Sequence, residues 1–187
     1  MLIDYTNLDS NKRYKIMSNT VIPRPIAWIV TEDEGIINAA PFSYFTPLSS
    51  DPAIVVVSIG QKEHGIPKDT LHNIIKQKKA TICFVNENNV EEVKLCANML
   101  DKNQSEITTY DIKTQTILED FPPIIASTQT ALFCTFYDKI DLPSQTTPVL
   151  LEIKFQYAQE GVFNERLDGL PNNIGRTGIV FKKMEDL

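Results

Sequence analysis

Pro23-Arg24-Pro25-Ile26-Ala27-Trp28 and, after a turn, Asn38-Ala39-Ala40-Pro41-Phe42-Ser43-Tyr44-Phe45 are the two stretches on which the reading of this chain depends. Ile26 to Thr31 is a β-branched and aromatic run, Glu32-Asp33-Glu34-Gly35 is a turn, and Ile36 to Ala39 can return as the second strand of a hairpin. Pro41 and Pro47 keep Phe42 to Thr46 out of a central strand or a helix interior. A hairpin flanked by prolines and followed by small and hydroxyl residues can bring its backbone flat against a planar ligand.

Outward from the hairpin, Ala53-Ile54-Val55-Val56-Val57-Ser58-Ile59 is almost continuously apolar and predicts a strand buried on both faces in the middle of a sheet. Asp69 or Thr70 is expected to cap a helix running to about Lys78, with Leu71, Ile74 and Ile75 on one face. A strand from Ala80 to Asn86 follows, then a helix from Val90 to Leu100 opened by Asn89. Asp101 to Pro123 carries no clear element, and Ile124-Ile125 can start a strand. Ala131 to Asp138 and Val149 to Gln159 alternate as strands, the second long enough to bend around a barrel. Strands outnumber helices and follow one another without regular βαβ alternation. The expected fold is therefore mainly β, a closed or nearly closed antiparallel barrel with a few peripheral helices, spanning residues 1–187 as a single domain.

Composition narrows the ligand. A formal charge of -6 and a pI near 5.0 disfavour nucleic acid, whose binding needs a basic face. The start Met1-Leu2-Ile3-Asp4-Tyr5-Thr6-Asn7 lacks the pattern of a signal peptide, and no apolar run is long enough for a bilayer, so a cytoplasmic protein without a membrane partner is expected. Cys83, Cys96 and Cys134 are far apart and unpaired by motif, and His64 and His72 have no third ligand nearby, so neither a disulfide framework nor a metal site is expected. With no Gly-x-Gly-x-x-Gly, no Gly-Lys-Ser/Thr loop and only seven glycines, a Rossmann or P-loop protein is disfavoured. No Gly-x-Ser-x-Gly elbow and no nucleophile, base and orienter set point to a hydrolase.

Pro67-Lys68-Asp69-Thr70-Leu71-His72-Asn73 brings a lysine and hydrogen-bonding side chains to a helix N-terminus, a setting suited to a phosphate monoester. The same residues also fit an ordinary Asp N-cap beside a solvated lysine, and an Asp carboxylate over the first amides would compete with a phosphate. Spacing alone leaves both readings open.

These pieces together resemble the flavin reductase-like, flavoredoxin-type family of the FMN-binding split barrel. The resemblance is carried by Pro23 to Trp28, Asn38 to Phe45, Asp51-Pro52 before a valine-rich strand, and Lys68-Asp69-Thr70 with Asn73, and runs from about Tyr14 to Asn86. It implies an antiparallel split β-barrel of Greek-key type and a homodimer with FMN near the interface. It further implies that Ala39, Ala40, Pro41, Phe42 and Ser43 lie along the flavin edge, that Lys68, Asp69 and Thr70 lie near the ribityl phosphate, and that Arg24 lies close to the flavin. Leu170-Pro171-Asn172-Asn173-Ile174-Gly175-Arg176-Thr177-Gly178 resembles the family's closing segment, with Arg176 as a contact and Phe181 as the nearest aromatic. The lone Trp28 sits mid-strand and reads as core. The implied activity is transfer of hydride from NADH or NADPH to FMN, which needs no catalytic acid or base from the protein. The alternative is a flavoredoxin-like electron carrier served by a redox partner protein.

Overall fold

The structure, a computed structural model, describes residues 1–62, 65–101, 103–169 and 171–183. His64 and Leu170 lie outside the described residues.

A 3-10 turn, Tyr5–Asn7, leads into α1 (Ser10–Thr20), which opens on Asp9, whose carboxylate accepts from Lys12 N at 2.9 Å. The chain then lays down β1 (Arg24–Pro25), β2 (Ala27–Asp33), β3 (Ile36–Phe42), β4 (Phe45–Ser50), β5 (Ala53–Gly60), α2 (Asp69–Gln77) and β6 (Lys79–Phe84). It continues through α3 (Val90–Leu95), α4 (Glu106–Thr109), β7 (Thr114–Gln115), β8 (Ile124–Ile125), β9 (Thr130–Lys139), β10 (Thr146–Ala158), β11 (Ile174–Thr177) and β12 (Val180–Lys183). The β2–β3 turn is made by Glu34 and Gly35 at φ 52° and 79°, the two positive values that a type I′ hairpin requires.

Seven strands form one antiparallel sheet in the order β3-β2-β6-β9-β10-β5-β4. Ala27 and Ile29 of β2, Phe42 of β3, Phe45 of β4, Val55, Val57 and Ile59 of β5, Ala80 and Ile82 of β6, Leu132 and Cys134 of β9, and Val149 and Leu151 of β10 all meet in one buried cluster. One face of every strand can reach a common core only if the sheet curls on itself. The end strands β3 and β4 do not pair, so the result is an antiparallel split barrel. Register shifts after Leu150 and Ile153 let the long β10 bend with the curl. Leu71 and Ile74 of α2 close the barrel's interior, while Trp28, Val30, Ala39, Cys83 and Phe133 face a second cluster under α3 and the segment before β8. Trp28 is fully buried in that outer layer. Apolar residues on both faces of β2 explain its unbroken run of buried positions.

Several expectations needed adjustment. β5 lies next to an edge strand; Val55, Val57 and Ile59 are buried on one side, and on the other Ile54 is buried while Val56 and Ser58 are half-buried. On α2, Ile75 is 38% exposed and the buried face is completed by Thr70 and Asn73. The helix expected to reach Leu100 stops at Leu95, leaving Met99 70% exposed. α1 went unforeseen because only Ser18 of its residues is buried, so no apolar stripe marks it. No described helix is long and apolar enough to cross a membrane.

β11 pairs with β1, setting Arg24 opposite Arg176, and then with β12. At Gly175 a Cβ would meet Pro23 Cβ at 2.9 Å, so glycine is what lets the closing hairpin dock on the proline-bounded segment.

Candidate functional site

The head of α2 differs from its expected form. Lys68, extended at φ -62° and ψ 151°, occupies the N-cap position and makes no side-chain cap bond. Asp69 is the first helical residue, and its carboxylate is drawn sideways to Lys62 Nζ at 2.6 Å. The Thr70 hydroxyl donates to Asn38 Oδ1 at 3.0 Å. Neither expected cap therefore bonds a first-turn amide among the described residues, and the Asp69 charge is offset by Lys62 instead of lying over those amides. Lys68 is half-buried, and no ion pair joins it to a carboxylate among the described residues. Burial, and secondarily the charge of Lys62, pull its ammonium below the usual lysine value.

These groups open onto a cavity of about 240 Å³ whose walls include Asn38, Ala40 and Pro41 of β3, Lys62, Lys68, Asp69, Thr70, the Cys96 to Leu100 turn, Glu106 and Arg176. Of the ten residues expected at a ligand, Ala40, Pro41, Lys68, Asp69, Thr70 and Arg176 converge here. Arg176 lies over Phe181 with 5.7 Å from guanidinium carbon to ring centre, and its Nε is buried without a hydrogen-bond partner among the described residues. Pro41, Ala97 and Arg176 also wall a wider groove of about 770 Å³ lined by α3 and the closing hairpin, so the two concavities share a border.

The other four expected residues sit apart from the cavity lining. Ala39 is fully buried and gives its N–H to Glu106 Oε2 at 3.0 Å. Phe42 packs in the barrel core with the Lys68 ammonium 5.6 Å from its ring centre. Arg24, 4% exposed, donates to the carbonyls of Ser18, Val21 and Gly178 and to Ser43 Oγ. Arg24 and Ser43 line a separate, mainly apolar concavity of about 430 Å³ with Met17, Val21, Pro23, Tyr44, Phe45 and Val56.

Sequence reasoning missed Lys62, Asn38 as a side chain, and Glu106. Lys62 could have been suspected from Lys62 and Lys68 flanking one short loop before a helix. For Glu106, in a polar stretch with no apolar period, only the three-dimensional packing gives a signal. Among the described residues no group of His, Cys, Asp and Glu could hold a metal ion. All three cysteines are buried, and burial pushes each thiol up to about 12.

The chain thus folds as a curled antiparallel split barrel with a cationic helix head facing the Ala40–Pro41 edge of β3 across a cavity. Residues 17–167 match the flavin reductase like domain, and the chain belongs to that family. Uncharacterized proteins of Halalkalibacterium halodurans and Bacillus subtilis are 34% and 37% identical over 108 and 102 residues, covering 57% and 54% of this chain and 52% and 49% of theirs. The chain thus spans about half the length of these curated relatives. Among solved structures, the 2-nitrobenzoate 2-nitroreductase NbaA of Pseudomonas fluorescens superposes with a TM-score of 0.90 at 28% identity, over 100% of this chain and 93% of that one. Nitrilotriacetate monooxygenase component B of Bacillus cereus gives 0.91 at 22% identity over 100% and 96%. A split barrel domain protein of Shewanella frigidimarina gives 0.86 at 17% over 100% and 96%. The last two likenesses establish the fold alone.

The residues present fit a flavin. Among the described residues, a buried Arg176 Nε without a partner, a Lys68 without a carboxylate and a helix head without a side-chain cap are donors that a phosphorylated, carbonyl-bearing ring would satisfy.

Proposed function

We propose that residues 1–187 form one flavin-binding domain that holds FMN in the cavity at the head of α2 and works as a flavin reductase-type oxidoreductase with NADH or NADPH as electron donor. The observation that supports this is a half-buried lysine with no carboxylate partner among the described residues, at a helix head where no side chain among them bonds the first-turn amides. Lys68 and the backbone of Asp69 and Thr70 would hold the phosphate, with Lys62 adding charge. Ala40, Pro41 and Arg176 would flank the ring system. Ala39, Phe42, Ser43 and Arg24 would shape that edge from behind, since their polar groups are engaged inside the protein.

When bound, the flavin supplies the redox chemistry, taking two electrons from a reduced nicotinamide and passing them on. The protein's part is to bind, orient and shield. Pro41 gives the strand edge no N–H, so the wall beside the ring is flat and donor-free at that position.

A homodimer is part of the proposal. Its support is the half-buried Val56 and Ser58 on the outer side of β5, together with exposed Met17 and Val21 lining the apolar concavity at Tyr44. A redox partner protein that draws electrons from the flavin also belongs to it, in keeping with the name of the Bacillus cereus component B protein.

The test is the visible spectrum of the purified protein, taken anaerobically before and after NADH and NADPH. A yellow protein that bleaches rapidly with either nucleotide supports the reductase. A yellow protein bleached only through a donor protein supports the electron carrier, and a colourless one that takes up no FMN removes both.

A further inference from the structure

Behind the proposed flavin wall sits a carboxylate for which the redox chemistry has no use. Glu106 begins α4, is 5% exposed, and has only N–H donors around it. Asn38 Nδ2 reaches its two oxygens at 3.0 and 2.9 Å, and Ala39 N reaches Oε2 at 3.0 Å. An ionised carboxylate satisfies all three donors, whereas a protonated one presents its own O–H among them.

The orientation of the Asn38 amide follows from this. With its NH₂ held by Glu106, Oδ1 must face Thr70 Oγ1 at 3.0 Å and Thr31 Oγ1 at 3.5 Å, and Thr31 in turn accepts from Asn73 Nδ2 at 3.1 Å. One chain of bonds therefore joins α4, the cavity edge of β3 and the first turn of α2.

Resting on the flavin reading of the cavity, we propose that Glu106 is a positioning residue for the flavin. Its ionised carboxylate fixes the Asn38 amide and the β3 backbone at Ala39, and so holds the Thr70 end of α2 and the Ala40–Pro41 wall at the separation the ligand requires.

Burial raises the Glu106 carboxyl above its usual range, the charge of Asp69 adds to the rise, and the Ala39 and Asn38 donors oppose it. The titratable groups facing it are Asp69 on α2, the Cys96 thiol after α3, and, around the cavity, Lys62, Lys68 and Arg176. A folded value raised above the unfolded one means that the anion is a stability cost at neutral pH, relieved as pH falls. The fold tolerates acid at this residue while the binding geometry does not.

The experiment is an FMN titration followed by flavin fluorescence between about pH 5 and 8, on the wild type, Glu106→Gln and the swapped pair N38D/E106Q. E106Q sets one NH₂ against another and should weaken FMN by roughly tenfold at neutral pH, about 1.4 kcal/mol. It should also remove the part of the wild type's falling affinity toward acid that exceeds protonation of the FMN phosphate itself, whose second pKa is about 6. The swapped pair returns the carboxylate to the network from the other side and should regain most of the lost affinity. E106Q binding within about twofold of wild type throughout, an acid step as large in E106Q as in the wild type, or a folded swapped pair no better than E106Q would each overturn the proposal. If E106Q does not fold, a folded swapped pair that binds FMN supports it and one that does not bind overturns it. A wild type that takes up no FMN ends the flavin reading and this one with it; normal wild-type binding beside an indifferent E106Q ends this one alone.

Discussion

Lys68→Ala isolates the charge at the head of α2. In the free protein the ammonium is half-buried, stands 5.6 Å from the Phe42 ring centre, and is depressed by burial and then by Lys62. Its removal forfeits a cation–π contact of about 0.5–1 kcal/mol and relieves desolvation and repulsion that oppose it. Unfolding free energy should therefore move by no more than about 1 kcal/mol. With FMN bound, a charge-assisted hydrogen bond to phosphate contributes about 1.5–3 kcal/mol, so Kd should rise roughly 10- to 150-fold. Riboflavin has the same ring without the phosphate, and its affinity should change by less than about twofold. The pH dependence has a definite sign. Because burial makes the folded ammonium lose its proton below the usual lysine range, FMN affinity should fall as pH rises through that lowered value. Fold stability should rise over the same window, since the unfolded chain there binds more protons. Lys68→Arg, charged throughout, should hold FMN to higher pH. Fluorescence titrations of both flavins across pH, with a thermal melt, make the check. Equal losses for FMN and riboflavin, no loss for FMN, or a melting drop of many degrees would refute the reasoning.

Arg24→Ala should cost on the order of 3 kcal/mol in urea unfolding, because its guanidinium ties the end of α1 to the closing hairpin through the carbonyls of Ser18, Val21 and Gly178. Loss of flavin affinity at unchanged stability would make it a direct ligand contact. Ile74→Ala, at a fully buried core position, should destabilise by about 2–5 kcal/mol, read by the same unfolding experiment. Val56→Glu sets a charge at a half-buried position lining the apolar concavity and should leave the circular dichroism intact while sedimentation reports a monomer. An unchanged association state would move the interface elsewhere.

Period and punctuation in the sequence were enough for β2, β3, β5, β6, β9 and β10, but not for the edge strand β4, for the closing β11–β12 hairpin or for the short β1 and β7. The β2–β3 hairpin, β9 and β10 follow from alternation and a Glu-Gly turn, and α2 from the spacing of Leu71 and Ile74. What failed were readings that depend on neighbours. Asp69 looked like a cap because its residue type favours caps, yet Lys62 draws its carboxylate to one side. β5 looked buried on both faces because valine does not reveal which face the chain covers only in part. Glu106 carried no local mark at all, since its role comes from Asn38, distant in sequence. The site was thus readable where backbone and charge form it, and hidden where a long-range polar network supports it.

The split in the barrel leaves β3 and β4 as the two ends of the sheet, and each carries a proline, Pro41 and Pro47. An open strand edge invites any other extended chain to add itself, which is how sheets aggregate. A residue without an N–H interrupts the ladder that such an intruder would need. Pro41, on the proposed ligand wall, and Pro47, on the opposite end strand, therefore also act as gatekeepers that keep the open edges of the sheet from being offered to another strand.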